Sequence, residues 1–479
     1  MEESIIVDAQ STATPFPHFW EHMFGSCHAS TTLCEDWRED LRALKEVVDV
    51  KYVRFHGIFE RQTGIYDGLD AAGRLKLNFT RTDLIYDGIL EIGVRPFVEL
   101  SFMPDEIASR PILHSFWYQP NVAPPRDPHQ WHELIVKFAQ HLVERYGIDE
   151  VAEWYFEVWN EPNLDFWTGE PKEESYYGLY DITATALREV SPRLRVGGPA
   201  TAQAAWVDRF IRHCVDKNVP VDFVSTHIYP NDTAINVFGV EESIPQSEMV
   251  ARAVRKVYSQ VKMSPRPDLP IIFSEYNAGF DPGILDSPYV GAWLANNIRL
   301  CAGGLVTEMS YWTFTDAFFE ERGPSRSVFE NGFGLIATGR IPKASFNVFK
   351  ILGYLGDEQL ALDSATALLT RHSRDGRLVL AVWNYVPPRE TGSAKSLKIR
   401  LTGFVWDPQH CRILLVDDDH GSPFKTWKAI GSPDFPSREQ QAILRKAAEL
   451  PPPTIAEIVK GQLSLNLQPS ALAVVEFPE

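Results

Sequence analysis

Short apolar runs alternate with longer stretches of helical period along roughly the first 300 residues of the chain. The apolar runs are "HFWEHMFGS" from His18, "KYVRFHG" from Lys51, "VRPFVELS" from Val94 and "WYFEVWNE" from Trp154. They continue with "LRVGGPA" from Leu194, "DFVSTHIYP" from Asp222, "PIIFSEYNA" from Pro270 and "EMSYWTFTD" from Glu308. Each is short, rich in β-branched or aromatic residues and bounded by breakers, which makes eight strands. Between them, "EDWREDLRALKEVV" sets Trp37, Leu41, Leu44 and Val48 on one helical face. "HQWHELIVKFAQHLVERYG" does the same with Trp131, Leu134, Ile135, Phe138 and Leu142, and stops at Gly147. Further helices are predicted at "ESYYGLYDITATALREV", "WVDRFIRHCVD", "SEMVARAVRKVYSQV" and "PYVGAWLANNIRLCAGG". Strands that each feed a helix run parallel, and eight such units close into a (β/α)8 TIM barrel of about 250 residues or more. An open doubly wound sheet is the rival, but no Gly-rich phosphate loop follows the first strand.

After about residue 355 the period changes from helical to alternating. "ALLTRHSRDGRLVLAVWNYV", "SLKIRLTGF", "HCRILLVDDDH", "GQLSLNLQPS" and "ALAVVEFPE" predict an accessory antiparallel β-sandwich, with one helical insertion at "SPDFPSREQQAILRKAAELPPP". The N-terminal "ESIIVDAQ" is an extra strand for this unit. The expected organisation is a barrel over 15–350 and a sandwich built from 1–14 and 351–479.

Composition narrows the partners. A formal charge of −18 over 479 residues argues against nucleic acid or an anionic membrane, both of which need a basic surface. The five cysteines are widely spaced, with no CxxC, so neither a disulfide framework nor a zinc site is expected. No metal or other cofactor is expected either. The acidic start "MEESIIVDAQ" lacks the pattern of a signal peptide, and no apolar run is long enough to span a membrane. A cytoplasmic address is the expectation, or a periplasmic one if a leader has been removed. Oligomeric state is left open.

In a barrel of this kind, chemistry sits at the C-terminal strand ends. Those ends offer His22 (first strand), Arg54 and His56 (second), Glu99 (third), Asn160 and Glu161 (fourth), His227 and Tyr229 (sixth), Glu275 (seventh) and Trp312 (eighth), with Asp316, Glu320 and Glu321 in the last loop. A lone carboxylate at a strand end is usually a cap or an ion-pair partner. Two glutamates on the fourth and seventh strands, facing each other across the mouth, are what glycosidic cleavage needs: an acid for the leaving oxygen and a carboxylate for the anomeric carbon. Glu99, Glu157 and Arg54 read as structural ion-pair partners. His18, His28 and the run Asp417 to His420 read as surface, and Trp37 and Trp131 as core.

The segments "FEVWNEPNLDFW", "VRFHG", "STHIYP", "SEYNAGF" and "PHFWEHMFGSCHA" resemble glycoside hydrolase family 39, of clan A, and within it the bacterial β-xylosidases. The resemblance covers nearly the whole chain. It implies a retaining double displacement with Glu161 as acid/base, Glu275 as nucleophile and Asn160 on the sugar 2-hydroxyl. It also implies His227 and Tyr229 around the nucleophile, and His56, Trp312 and either Glu320 or Glu321 on the xylose ring. Phe116, Trp117 and Phe166 would line the entrance. The activity it implies is exo-release of xylose from β-1,4-xylooligosaccharides, with the segment "DAFFEERGPSRSVFENGFGLI" closing a pocket. The alternatives are an α-L-arabinofuranosidase, a β-glucosidase, an α-L-iduronidase or a non-catalytic carbohydrate-binding protein.

Overall fold

The computed structural model describes residues 2–405 and 408–477. Eight parallel strands close into a barrel: β1 (Met23–His28), β2 (Tyr52–His56), β3 (Arg95–Leu100), β4 (Tyr155–Val158), β5 (Arg195–Thr201), β6 (Phe223–His227), β7 (Ile271–Tyr276) and β8 (Glu308–Tyr311). Each pairs with its sequence neighbours, and β8 closes on β1. All eight overlap the apolar runs read from the sequence.

The barrel interior is layered by side-chain alternation. Met23, Phe97, Phe223 and Ile272 form an apolar plug at the N-terminal end, flanked by Tyr52 and Tyr155. Two residues further along the strands the layer turns polar, with Arg54, Glu99, Glu157 and Ser274 all buried. The register between β6 and β7 shifts between Thr226 and His227, so that His227 pairs with Glu275. Such a shift breaks strict alternation, and here it brings Glu275 to the mouth directly after the inward Ser274.

The six predicted helices form, including Pro128–Tyr146, capped by Gly147 at φ 82°. A helix at Thr80–Glu91 is an addition. Its sequence, "TRTDLIYDGILE", carries a glycine in the interior, which weakens the pattern. A Cβ at Gly88 would lie 2.6 Å from the Arg38 guanidinium, which would have to shift to admit it. The hairpin Tyr66–Leu69 with Leu75–Leu77 is a second addition to the sequence reading.

The accessory unit has two sheets. Seven antiparallel strands run in the order Ala13–Pro15, Glu358–Leu360, Ala367–Arg371, Leu378–Trp383, Leu472–Phe477, His410–Val416, Thr454–Glu457. A three-stranded sheet faces them across a core containing Ile5, Val7, Leu380, Val382, Leu397, Ile399 and Val475. In that smaller sheet, Glu2–Asp8 pairs with Lys395–Thr402 in parallel, unlike the rest of the unit. The predicted insertion forms one helix, Arg438–Ala448, starting in a capping box at Ser437, and a short helix at Phe424–Ala429 precedes it. The last two residues of "ALAVVEFPE" lie outside the described residues. The larger sheet lays its other face on the barrel helix Tyr289–Cys301, where a Cβ at Gly291 would meet Val348 and Leu472. No helix among the described residues is long and apolar enough to cross a membrane.

Candidate active site

At the C-terminal end of the barrel, β4 runs out into Trp159, Asn160 and Glu161. Trp159 has φ 71° and Glu161 φ 42°, both in the left-handed region that is strained for residues with a Cβ. The strain is held in place by Trp159 Nε1 donating to the Phe166 carbonyl (2.7 Å) and the Glu161 amide donating to the Ala200 carbonyl (2.8 Å). It turns the Glu161 carboxyl over the barrel axis. There, carboxylate oxygens of Glu161 and Glu275 and a ring nitrogen of His227 all lie within 4.8 Å of one another. Two carboxyls about 5–5.5 Å apart suit direct attack on the anomeric carbon, whereas an intervening water needs about 6.5–9.5 Å.

The two glutamates have different surroundings. Arg54 donates to Glu275 Oε1 (2.7 Å) and Tyr229 OH to Oε2 (2.8 Å). Two donors, one of them charged, hold this carboxylate in one orientation. Glu161 makes no hydrogen bond to a cation among the described residues. Burial pushes its carboxyl up to about 7, against the more distant pull of His56 and Arg54. A carboxyl that holds its proton close to neutrality thereby stands beside a carboxylate pinned by two donors.

His227 sits between the two carboxyls. Burial, with Arg54 adding to it and Glu275 opposing, pushes the imidazole down to about 4, so it is neutral at pH 7. Its Nε2 lies 3.5 Å from Arg54 NH2, a donor, and its Nδ1 lies 2.9 Å from Glu161 Oε1 and 3.6 Å from Glu275 Oε2. The network therefore assigns the hydrogen to Nδ1, donated to Glu161. The resemblance set His227 around Glu275; its nearer partner is Glu161. Both ring nitrogens are committed to this network, which leaves the three-residue cluster without a free imidazole ligand for a metal.

Arg54 is fully buried and binds Glu99 (2.7 Å), Glu157 (2.7 Å), Glu275 and Asn160 Oδ1 (3.1 Å). Ser274 donates to the other oxygen of Glu157 (2.6 Å). Glu99 and Glu157 are thus saturated supports beneath the mouth.

On the other side of Glu275, His56 Nδ1 reaches Glu99 (2.6 Å) and Nε2 reaches Glu320 (3.3 Å). Burial alone would lower the His56 pKa, but Glu320 and Glu99 outweigh it and hold it well above its ordinary value. Glu320 also accepts from Tyr118 OH at 3.3 Å, and burial pushes its carboxyl up to about 7. Glu321, its neighbour, is exposed. Of the pair, Glu320 is the one that points inward. Trp312 lies beside His56, ring centroids 4.8 Å apart, and packs so closely on β1 that a Cβ at Gly25 would sit 2.2 Å from its ring.

At the rim, Phe166 stacks on His114 (4.1 Å) and meets Phe116 edge-on at 5.2 Å. Trp117 is 53% exposed and leans on Phe318. The loop carrying Glu320 is strapped down from below. Buried Lys343 binds Asp286 (2.8 Å), Asp316 (2.5 Å) and the Gly332 carbonyl (2.9 Å).

Two expectations are corrected. His22 precedes β1, so it lies at the opposite end of the barrel, paired with Glu308 at 3.2 Å. His28, read as surface, ends β1 and is buried, stacked on Tyr118 at 4.0 Å behind Glu320. The apolar pattern sets the strand a few residues early because "HFWEHM" is as apolar as the strand itself. His18 is half-buried against Glu21 and Trp20. Sequence reasoning also misses Tyr118 and Phe280. Each sits in a quoted or adjacent aromatic segment, but only the fold shows that they reach the mouth.

The profile described as "Glycosyl hydrolases family 39" matches residues 3–459. A β-xylosidase of Caldicellulosiruptor saccharolyticus is 37% identical over 452 residues, covering 90% of this chain and 88% of that protein. A β-xylosidase of Geobacillus stearothermophilus is 35% identical over 443 residues, covering 90% and 86%. The solved structure of a family 39 β-xylosidase from Caulobacter crescentus superposes with a TM-score of 0.85 at 31% identity, covering 100% of both chains. The chain belongs to glycosyl hydrolase family 39.

Proposed function

We propose that this glycoside hydrolase is a retaining exo-β-xylosidase that releases xylose from the non-reducing ends of β-1,4-xylooligosaccharides. The observation that carries the reading is the closely spaced Glu161–Glu275 pair, with Glu275 held in place by two donors and the Glu161 carboxyl raised by burial. In the first step Glu275 attacks the anomeric carbon while Glu161 gives its proton to the departing glycosidic oxygen. This leaves a xylosyl ester on Glu275 and a free aglycone. In the second step Glu161 takes a proton from water, the oxygen attacks the same carbon, and the Glu275 carboxylate departs.

Asn160 is assigned to the 2-hydroxyl. Trp312 is assigned to the ring face, and His56 with Glu320 to the remaining hydroxyls. Phe116, Trp117 and Phe166 shape the entrance, and exposed Glu321 is given no sugar contact. The Lys343 strap holds the last loop as a wall, which favours a pocket and exo action. Short imported oligosaccharides in a cytoplasmic setting suit such a pocket.

The iduronidase alternative needs a cation for the substrate carboxylate. Arg54, the cation bonded to Glu275, is spent on three protein carboxylates, and His56 lies between Glu99 and Glu320, which disfavours that reading. A side-by-side panel of nitrophenyl glycosides tests the assignment. The β-D-xyloside is expected to be turned over at least about tenfold faster than the β-D-glucoside, α-L-arabinofuranoside and α-L-iduronide. Preference for any of those three overturns the sugar assignment, and no turnover of any favours the binding-protein reading.

A further inference from the structure

The two oxygens of Glu275 divide the site. Oε1 faces Arg54 and, at 3.8 Å, His56, on the side of Glu320 and Trp312. Oε2 faces Tyr229 and His227, on the side of Glu161. The oxygen that Glu161 protonates links the departing sugar, so that sugar lies on the Tyr229 side.

An aromatic face is presented there. Phe280 is 45% exposed and packs at a tilt of 37° on Tyr229, centroids 4.8 Å apart, with Phe333 edge-on behind it at 5.7 Å. Isolated exposed apolar residues are common and need no function. This one is different because its backbone is fixed from several directions. Its amide donates to Asn231 Oδ1 (2.8 Å), and Gly279 before it has φ 111° with no room for a Cβ, which would lie 2.6 Å from that same oxygen. Asp281 after it accepts from Asn231 (3.0 Å) and Gln246 (2.8 Å). Its other oxygen binds Arg389 at 2.6 Å, and Arg389 comes from the accessory sandwich, in the loop after Leu378–Trp383. A rigid, half-exposed aromatic face is suited to the C–H face of a sugar ring.

We propose that Phe280 is the platform of an aglycone subsite that binds the departing xylose of an oligosaccharide, and that the β-sandwich holds it in place through Arg389. The inference rests on the xylosidase reading above. It gives the accessory unit a part in substrate binding.

The test compares xylobiose, which fills the subsite, with β-D-xylosyl fluoride, whose leaving group is too small to reach it. For Phe280→Ala, kcat/KM is expected to fall about tenfold on xylobiose and less than about twofold on the fluoride. Phe280→Trp is expected to retain the xylobiose activity. Arg389→Ala is expected to raise KM for xylobiose about threefold and leave KM for the fluoride unchanged. Equal losses on both substrates would mean that Phe280 only props Tyr229, and no loss on xylobiose would mean that no subsite exists. Either result overturns the proposal while leaving the xylosidase reading intact. If the wild-type protein cleaves neither substrate, that reading fails and the subsite fails with it.

Discussion

Replacing Glu275 by alanine is expected to lower kcat/KM on an aryl β-xyloside by at least about 10⁴-fold. The loss is large because no neighbour can substitute. Glu99 and Glu157, the other carboxylates around Arg54, are buried below the reacting level and already bonded to His56, Arg54 and Ser274. The fold should survive, since Arg54 keeps both of them. The space vacated beside Arg54 NH1 and Tyr229 OH accepts a small anion, so azide is expected to restore turnover and to give the α-xylosyl azide by single inversion. A fall of less than about 100-fold would assign the nucleophile elsewhere, with Glu320 the next carboxyl to test.

Glu161→Ala is expected to split substrates by leaving group. A dinitrophenyl xyloside departs without a proton, so its first step needs no acid. Xylobiose does need one, and is expected to lose about 10³-fold or more. The same group sets a pH limb. Glu161 must be protonated for the first step, and burial raises it to about 7, so kcat/KM on xylobiose falls as pH rises through about 7. Glu320 is also raised to about 7, which makes it the control. The limb on xylobiose should persist in Glu320→Gln and be absent when the wild-type protein acts on the dinitrophenyl substrate, whose first step needs no acid. Equal losses on both substrates, or a limb that follows Glu320, would remove Glu161 from the acid role.

The barrel was legible because period and composition act strand by strand. "YFEVW" and "IIFSEY" carry their burial in their own residues. The paired glutamates were legible because each follows such a run. What the sequence hid was register. His22 and His28 differ by six positions, and a strand start displaced by a few residues exchanged mouth for floor. The choice between Glu320 and Glu321 depended on how the last loop is tied down, through Lys343 and its distant partners Asp286 and Asp316. Long-range contacts of this kind leave no periodic trace in the sequence. Phe280 was hidden for the same reason, because its bracing arrives from Asn231, Gln246 and the sandwich residue Arg389.

If Glu161 and Glu275 act as a retaining pair on a β-xyloside, the anomer of the first-formed product is set. Proton NMR of the anomeric signals reads it directly during the first minutes of nitrophenyl β-D-xyloside hydrolysis, before mutarotation mixes the products. All the free xylose then comes from the cleaved bond. The expected result is that β-xylose appears first, with the α-anomer growing in only later. Appearance of α-xylose first would contradict the pairing.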